Sequence, residues 1–143
     1  MLDNPFVKYS KHDLEKLSKA KVFLLQIGAI IQSTYSNIRH FRIVELKDKT
    51  EVRIGIHGNQ HMYHTLACGE DGIIKFTAMY VLLFDSNKRH VKILKDMLKK
   101  YPESKMDGSH FTLMLNIKDE ADFYKKAKDM TVIFEEDGFV LNR

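Results

Sequence analysis

The chain has 143 residues, 44% of them apolar, with 23 basic against 19 acidic side chains and a formal net charge of +4. That suits a single domain over 1–143 with one hydrophobic core and excludes a disordered tail, while the modest basic excess favours acidic partners such as nucleic acid. No apolar run approaches the roughly 18 residues of a membrane span, the start Met1-Leu2-Asp3-Asn4-Pro5 lacks a secretory pattern, and the lone Cys68 cannot form an internal disulfide, so the expectation is a cytoplasmic protein without a membrane partner.

Ser10-Lys11-His12-Asp13 places an N-cap residue three positions before an acid, a capping-box arrangement with Asp in the Glu position. Leu14, Leu17, Leu24, Ile27 and Ile31 then recur at helical spacing and predict a helix over about 11–33. Val22, Phe23, Leu25 and Ile30 widen its apolar face, which predicts either central burial or a subunit contact. After Asn37 the period drops to two. Phe41, Ile43 and Glu45 alternate with Arg42, Val44 and Leu46, and Val52, Ile54 and Ile56 alternate with Glu51, Arg53 and His57, which predicts two strands around a polar Lys47-Asp48-Lys49 turn. A third strand is expected over 61–68. A fourth, central one is expected over 73–84, after the Gly69-Glu70-Asp71-Gly72 turn.

Asp85-Ser86-Asn87 caps a helix that Val91, Leu94, Leu98 and Tyr101 turn toward the core and Pro102 stops. Lys105-Met106-Asp107-Gly108 reads as a turn. Phe111, Leu113, Leu115 and Ile117 point inward from the next strand, with His110, Thr112, Met114 and Asn116 on its other face. Asp119 caps a short helix containing Ala121, Phe123, Ala127 and Met130. Asp137-Gly138 predicts a closing hairpin between 131–134 and 139–141, with Glu135-Glu136 exposed beside it. The fold class is therefore α+β: an antiparallel-rich sheet, one long N-terminal helix and two shorter ones, in the order α-β-β-β-β-α-β-α-β-β. The stretch 78–134 reads β-α-β-α-β, compatible with a ferredoxin-like half.

Three constellations carry candidate chemistry. In His110-Phe111-Thr112-Leu113, residues i and i+2 share a strand face, so an imidazole and a hydroxyl can converge on one ligand. Together with the strand 80–84, the helix 88–100, the Pro102 loop and the closing 132–141 segment, this resembles one half of the two-histidine phosphoesterases. The resemblance implies a fold with two His-x-Thr/Ser motifs on facing strands, one histidine acting as general base and the other as general acid. The second motif is missing here: His40, His57 and His61 are followed two places on by Arg42, Asn59 and Tyr63. His64-Thr65-Leu66 puts its hydroxyl on the other side of the pleat. His57, His61 and His64 would suit a metal on one helical face, but a strand splits His61 from His64, and no metal or cofactor is assigned.

The third constellation is charge. Lys88, Arg89, Lys92, Lys95, Lys99 and Lys100 face only Asp96 on the second helix, and Lys125, Lys126 and Lys128 add to them on the last. Arg39, Arg42 and Arg53 are expected to line a sheet face with Tyr63. Agreement from several segments favours a non-catalytic, basic binding module for nucleic acid or another polyanion, with regulator or inhibitor as its role. Lys88, Arg89, Lys92, Lys95 and Lys99 are its contacts, with Arg42 and Arg53 secondary. The alternatives are a phosphodiesterase acting on a cyclic or short oligonucleotide through His110, Thr112 and His64, and an interaction or oligomerisation module built on the apolar first helix. In that last reading, charge at Leu24 or Ile31 changes assembly while the core still folds.

Overall fold

In the computed structural model, which describes residues 19–56, 64–82 and 86–143, three helices lie against one face of a six-stranded antiparallel sheet. Helix α1 (Lys19–Thr34) is followed by strands β1 (His40–Glu45), β2 (Lys49–Gly55), β3 (His64–Gly69) and β4 (Ile74–Val81). Helix α2 (Lys88–Lys100), strands β5 (Lys105–Asp107) and β6 (His110–Ile117), and helix α3 (Glu120–Glu136) complete the order. The sheet runs β1-β2-β3-β4-β6-β5. Its first four strands form a meander. Because β6 lies antiparallel between β4 and β5, those two run parallel across it, so β4-α2-β5 is a split β-α-β unit.

The fold class and the alternation along β1–β4 and β6 stand as expected. Phe41, Ile43, Val52, Ile54, Leu66, Phe76, Ala78, Leu113 and Leu115 all point into the core shared with the helices. The central place of β4 follows from its apolar run, since it has neighbours on both edges. The expected first-helix residues 11–18, the turn 57–63 and residues 83–85 lie outside the described residues.

Two elements differ from expectation, both at glycines. Lys105–Asp107 is an edge strand, not a turn, and pairs with β6 through the two-residue Gly108-Ser109 loop. Gly108 has φ +58 and no non-glycine residue has positive φ among the described residues, the pattern of a II′ hairpin turn. The closing hairpin is absent. Residues 131–136 continue α3, because Phe123, Met130, Ile133 and Phe134 recur on one buried helical stripe. Gly138, at φ +98, instead ends that helix: Gly138 N–H donates to the Glu135 carbonyl and Phe139 N–H to the Phe134 carbonyl, the paired bonds of a Schellman cap. The tail is held by the Asn37 side chain, which bonds the Gly138 carbonyl and the Val140 N–H, each at 2.9 Å. Of the expected last strand there remains one bridge, Tyr35 to Leu141. The stretch 78–134 is thus β-α-β-β-α.

The apolar breadth of α1 serves this chain's own core. Leu24 is 0% and Ile31 5% exposed, so a charge at either would enter the domain interior, not an assembly surface. Among the described residues of α1, Ile30 is the one large apolar side chain left exposed. No helix is long and apolar enough to cross a membrane among the described residues.

Candidate nucleic-acid interface

Helix α2 starts where Asn87 accepts hydrogen bonds from Arg89 N–H at 2.9 Å and His90 N–H at 3.3 Å, satisfying two otherwise orphan donors. Leu94 and Met97 are buried, and Tyr101 closes the helix from within the core. At about 100° per residue, Lys88, Lys92, Lys95 and Lys99 fall within about 60° of the helix circumference, on the side opposite Leu94 and Met97. The four ammonium groups form one stripe along some three turns. With Val91 and Asp96 they line a surface depression of about 500 Å3. None of the four has an ion-pair partner among the described residues.

The other cations of α2 are engaged. Lys100 Nζ lies 2.7 Å from Asp129 of α3, and the Tyr101 hydroxyl donates to the same carboxylate oxygen. Burial alone would raise the Asp129 carboxyl, but hydrogen bonds from Lys100 and Tyr101, with the charges of Lys100 and Lys128, hold it below the usual value. The Tyr101 hydroxyl is raised, first by burial and then by Asp129. Arg89 and His90 each approach Glu136 at 3.9 Å, so Glu136 faces α2 and is partly buried, against the expectation of an exposed acidic pair. On α3, Lys126 is bound to Asp122 at 3.1 Å and to the Asn116 carbonyl. Its charge is spent locally.

The register places Arg42 and Arg53 directly opposite one another on β1 and β2, on the sheet face away from the helices. They therefore do not join the α2 stripe. The cross-strand row continues Arg42, Arg53, Thr65, Thr77 and Met114. The next row toward the β1 start carries His40, Met79, Thr112 and Lys105. Arg53 Nε meets Glu51 at 3.3 Å and Lys49 meets it at 3.2 Å, leaving Arg42 without an ion pair among the described residues. Tyr63, expected beside these arginines, lies outside the described residues.

His110 and Thr112 share this open face, as their spacing required, with Val81 and Asp107 beside His110. His64 does not join them. It points into the helix-covered side, 8% exposed, among Phe76, Phe134 and Phe139. Its Nε2 lies 2.6 Å from Asp137 Oδ2, which also accepts the Tyr80 hydroxyl at 2.5 Å. A carboxylate only accepts, so Nε2 carries a proton, and Nδ1 is buried without a partner among the described residues. Burial first, then Asp137, raises the Tyr80 hydroxyl. This network fastens the end of α3 to β3 and β4. It was hidden in the sequence because Asp137 read as a hairpin turn residue. His57 and His61 lie outside the described residues, and among those described no group of three or more His, Cys, Asp or Glu side chains could hold a metal ion. Cys68 is buried, and burial, then Asp71, pushes its thiol up against the pull of Lys21.

Comparison of the chain with protein-family models, with curated proteins and with solved structures finds no match.

Proposed function

We propose that this protein is a small binding module that engages the phosphate backbone of nucleic acid through α2, acting as a regulator or inhibitor by occupying it. The observation that supports this reading is the single stripe of Lys88, Lys92, Lys95 and Lys99, which has no ion pairs among the described residues. Arg89 flanks the stripe and supplements it. Ammonium groups are compact point charges and no aromatic ring lies on the stripe among the described residues, so contact is to phosphates and independent of base sequence. The lone buried Cys68 is compatible with the reducing cytoplasm. A phosphodiesterase built on His110 and Thr112 would need a second group other than His64, and an oligomer built on α1 would have, among the described residues, Ile30 to offer.

Retention on an immobilised DNA duplex at rising salt tests the proposal. Four phosphate contacts predict that log affinity falls with log salt at a slope of about −3 to −4. Absence of retention even at low salt removes the proposal.

A further inference from the structure

The sheet face that no helix covers among the described residues carries a second field of donors that α2 leaves unused. Along the row Arg42, Arg53, Thr65 and Thr77, every side chain presents a guanidinium or a hydroxyl. Thr112 and Lys105 continue it in the adjacent row. Residues directly opposite on antiparallel strands hold their Cβ atoms about 5 Å apart, and like charges placed so destabilise the pair. Glu51 offsets only part of this, because Lys49 and Arg53 share its carboxylate and Arg42 has no ion pair among the described residues. Of the acids near this face among the described residues, Asp48, Glu70 and Asp71 sit in turns at the far end of the strands and Asp107 lies beside His110 where β6 begins, so the positive field is concentrated on β1 and β2, at Arg42 and Arg53. His40, on the same face as Arg42, is held below its usual value by burial first and then by Arg42 and Arg53, which marks the positive potential there. A phosphate oxygen beside Arg42 supplies a counter-charge, and guanidinium donors suit it in geometry as well as charge.

We infer that the β1–β2 side of the open sheet face is a second phosphate-backbone site, so that the protein bridges two nucleic-acid segments, one on α2 and one on the sheet. The inference rests on the proposed function of α2. The two surfaces point in opposite directions: the lysine stripe faces away from the sheet, and Arg42 and Arg53 face away from the helices. A helix of about 10 Å diameter and the sheet itself lie between them. Sideways, β2 and β6 are three strand spacings apart, about 14 Å. One straight duplex cannot lie on both.

The test uses the full chain, one DNA duplex fixed to a surface and a second, labelled duplex free in solution. Wild type is expected to capture the labelled duplex at low salt and release it at high salt. Arg42→Glu should remain on the fixed duplex while its capture of the second falls at least about tenfold. Arg42→Gln, which removes charge without reversing it, should fall in the same direction and guards against misfolding of the first variant. Retention of wild type without capture of a second duplex overturns the inference and leaves the α2 reading intact. Capture by both Arg42 variants at the wild-type level also overturns it, because two copies each using α2 would then make the bridge. No retention of wild type on the fixed duplex removes both readings.

Discussion

Helices α2 and α3 lie side by side in one layer, tied through Lys100 and Tyr101 to Asp129 and through Arg89 and His90 to Glu136, yet they treat lysine in opposite ways. On α2 six bases meet one acid. On α3 three bases meet five acids, and Lys126 is bound within its own helix. Lysine content alone therefore marks no surface. What distinguishes α2 is that the acids of α3 reach only its flank, leaving the outward stripe with Asp96 as its one neighbouring acid and no ion pair among the described residues. A solvated helix face is ordinarily neutralised by i, i+4 partners, and α2 has Asp96 alone to provide one.

The largest effect should come from breaking that asymmetry. Lys92→Glu with Lys95→Glu, and Lys125→Glu with Lys128→Glu, change the net charge equally. The α2 pair is expected to lose about a hundredfold or more in duplex affinity at low salt, and the α3 pair no more than about threefold. Equal losses in a titration of the two variants would show that overall charge, not the stripe, drives binding. A smaller effect is expected at the joint between the helices. Asp129→Ala leaves Lys100 and Tyr101 without their acceptor and should cost about 1–3 kcal/mol in denaturant unfolding, with duplex affinity held or slightly improved. An unchanged unfolding midpoint would mean that the joint contributes nothing.

The smallest effect concerns pH. The carboxyls of Asp129 and Asp122 are lowered in the folded chain, in both cases against the opposing push of burial, and for Asp122 by the Lys118 N–H and by Lys126. The unfolded chain then binds more protons than the folded one as acid is added. Stability is therefore fully present above the ordinary carboxyl value of about 4 and declines as pH falls through the lower folded values. Unfolding midpoints followed from neutral pH downward should show this decline, and Asp129→Asn should flatten it. A variant with the same acid slope as wild type would assign the decline to other carboxyls.

Much of the candidate interface was legible beforehand because it depends on local periods. Two-residue alternation correctly put His110 with Thr112, and helical spacing put Lys88, Lys92, Lys95 and Lys99 on one side of a helix that Asn87 starts. The errors came where one residue type serves two structures. Positive φ at glycine suits both a hairpin and a helix C-terminus, so Asp137-Gly138 was read as the first and is the second, while Gly108-Ser109 makes the hairpin that was read as a simple turn. The hairpin reading made 131–134 a strand, and burial of Ile133 and Phe134 beside Met130 makes it helix.

What the sequence by itself determined, then, was the period of most segments, which side chains share a face, and the excess of base over acid on α2. Only the tertiary structure decided which charges meet: that Asp129 takes Lys100, that Asp137 takes His64 and Tyr80, and that Arg42 stands opposite Arg53. Those partners lie on different elements, and His64 and Asp137 are 73 residues apart in the chain. Local backbone preference fixes neither strand order nor register. Both are set by how all the apolar faces close on one core, and that closure sends His64 to the covered side of the sheet and His110 to the open one.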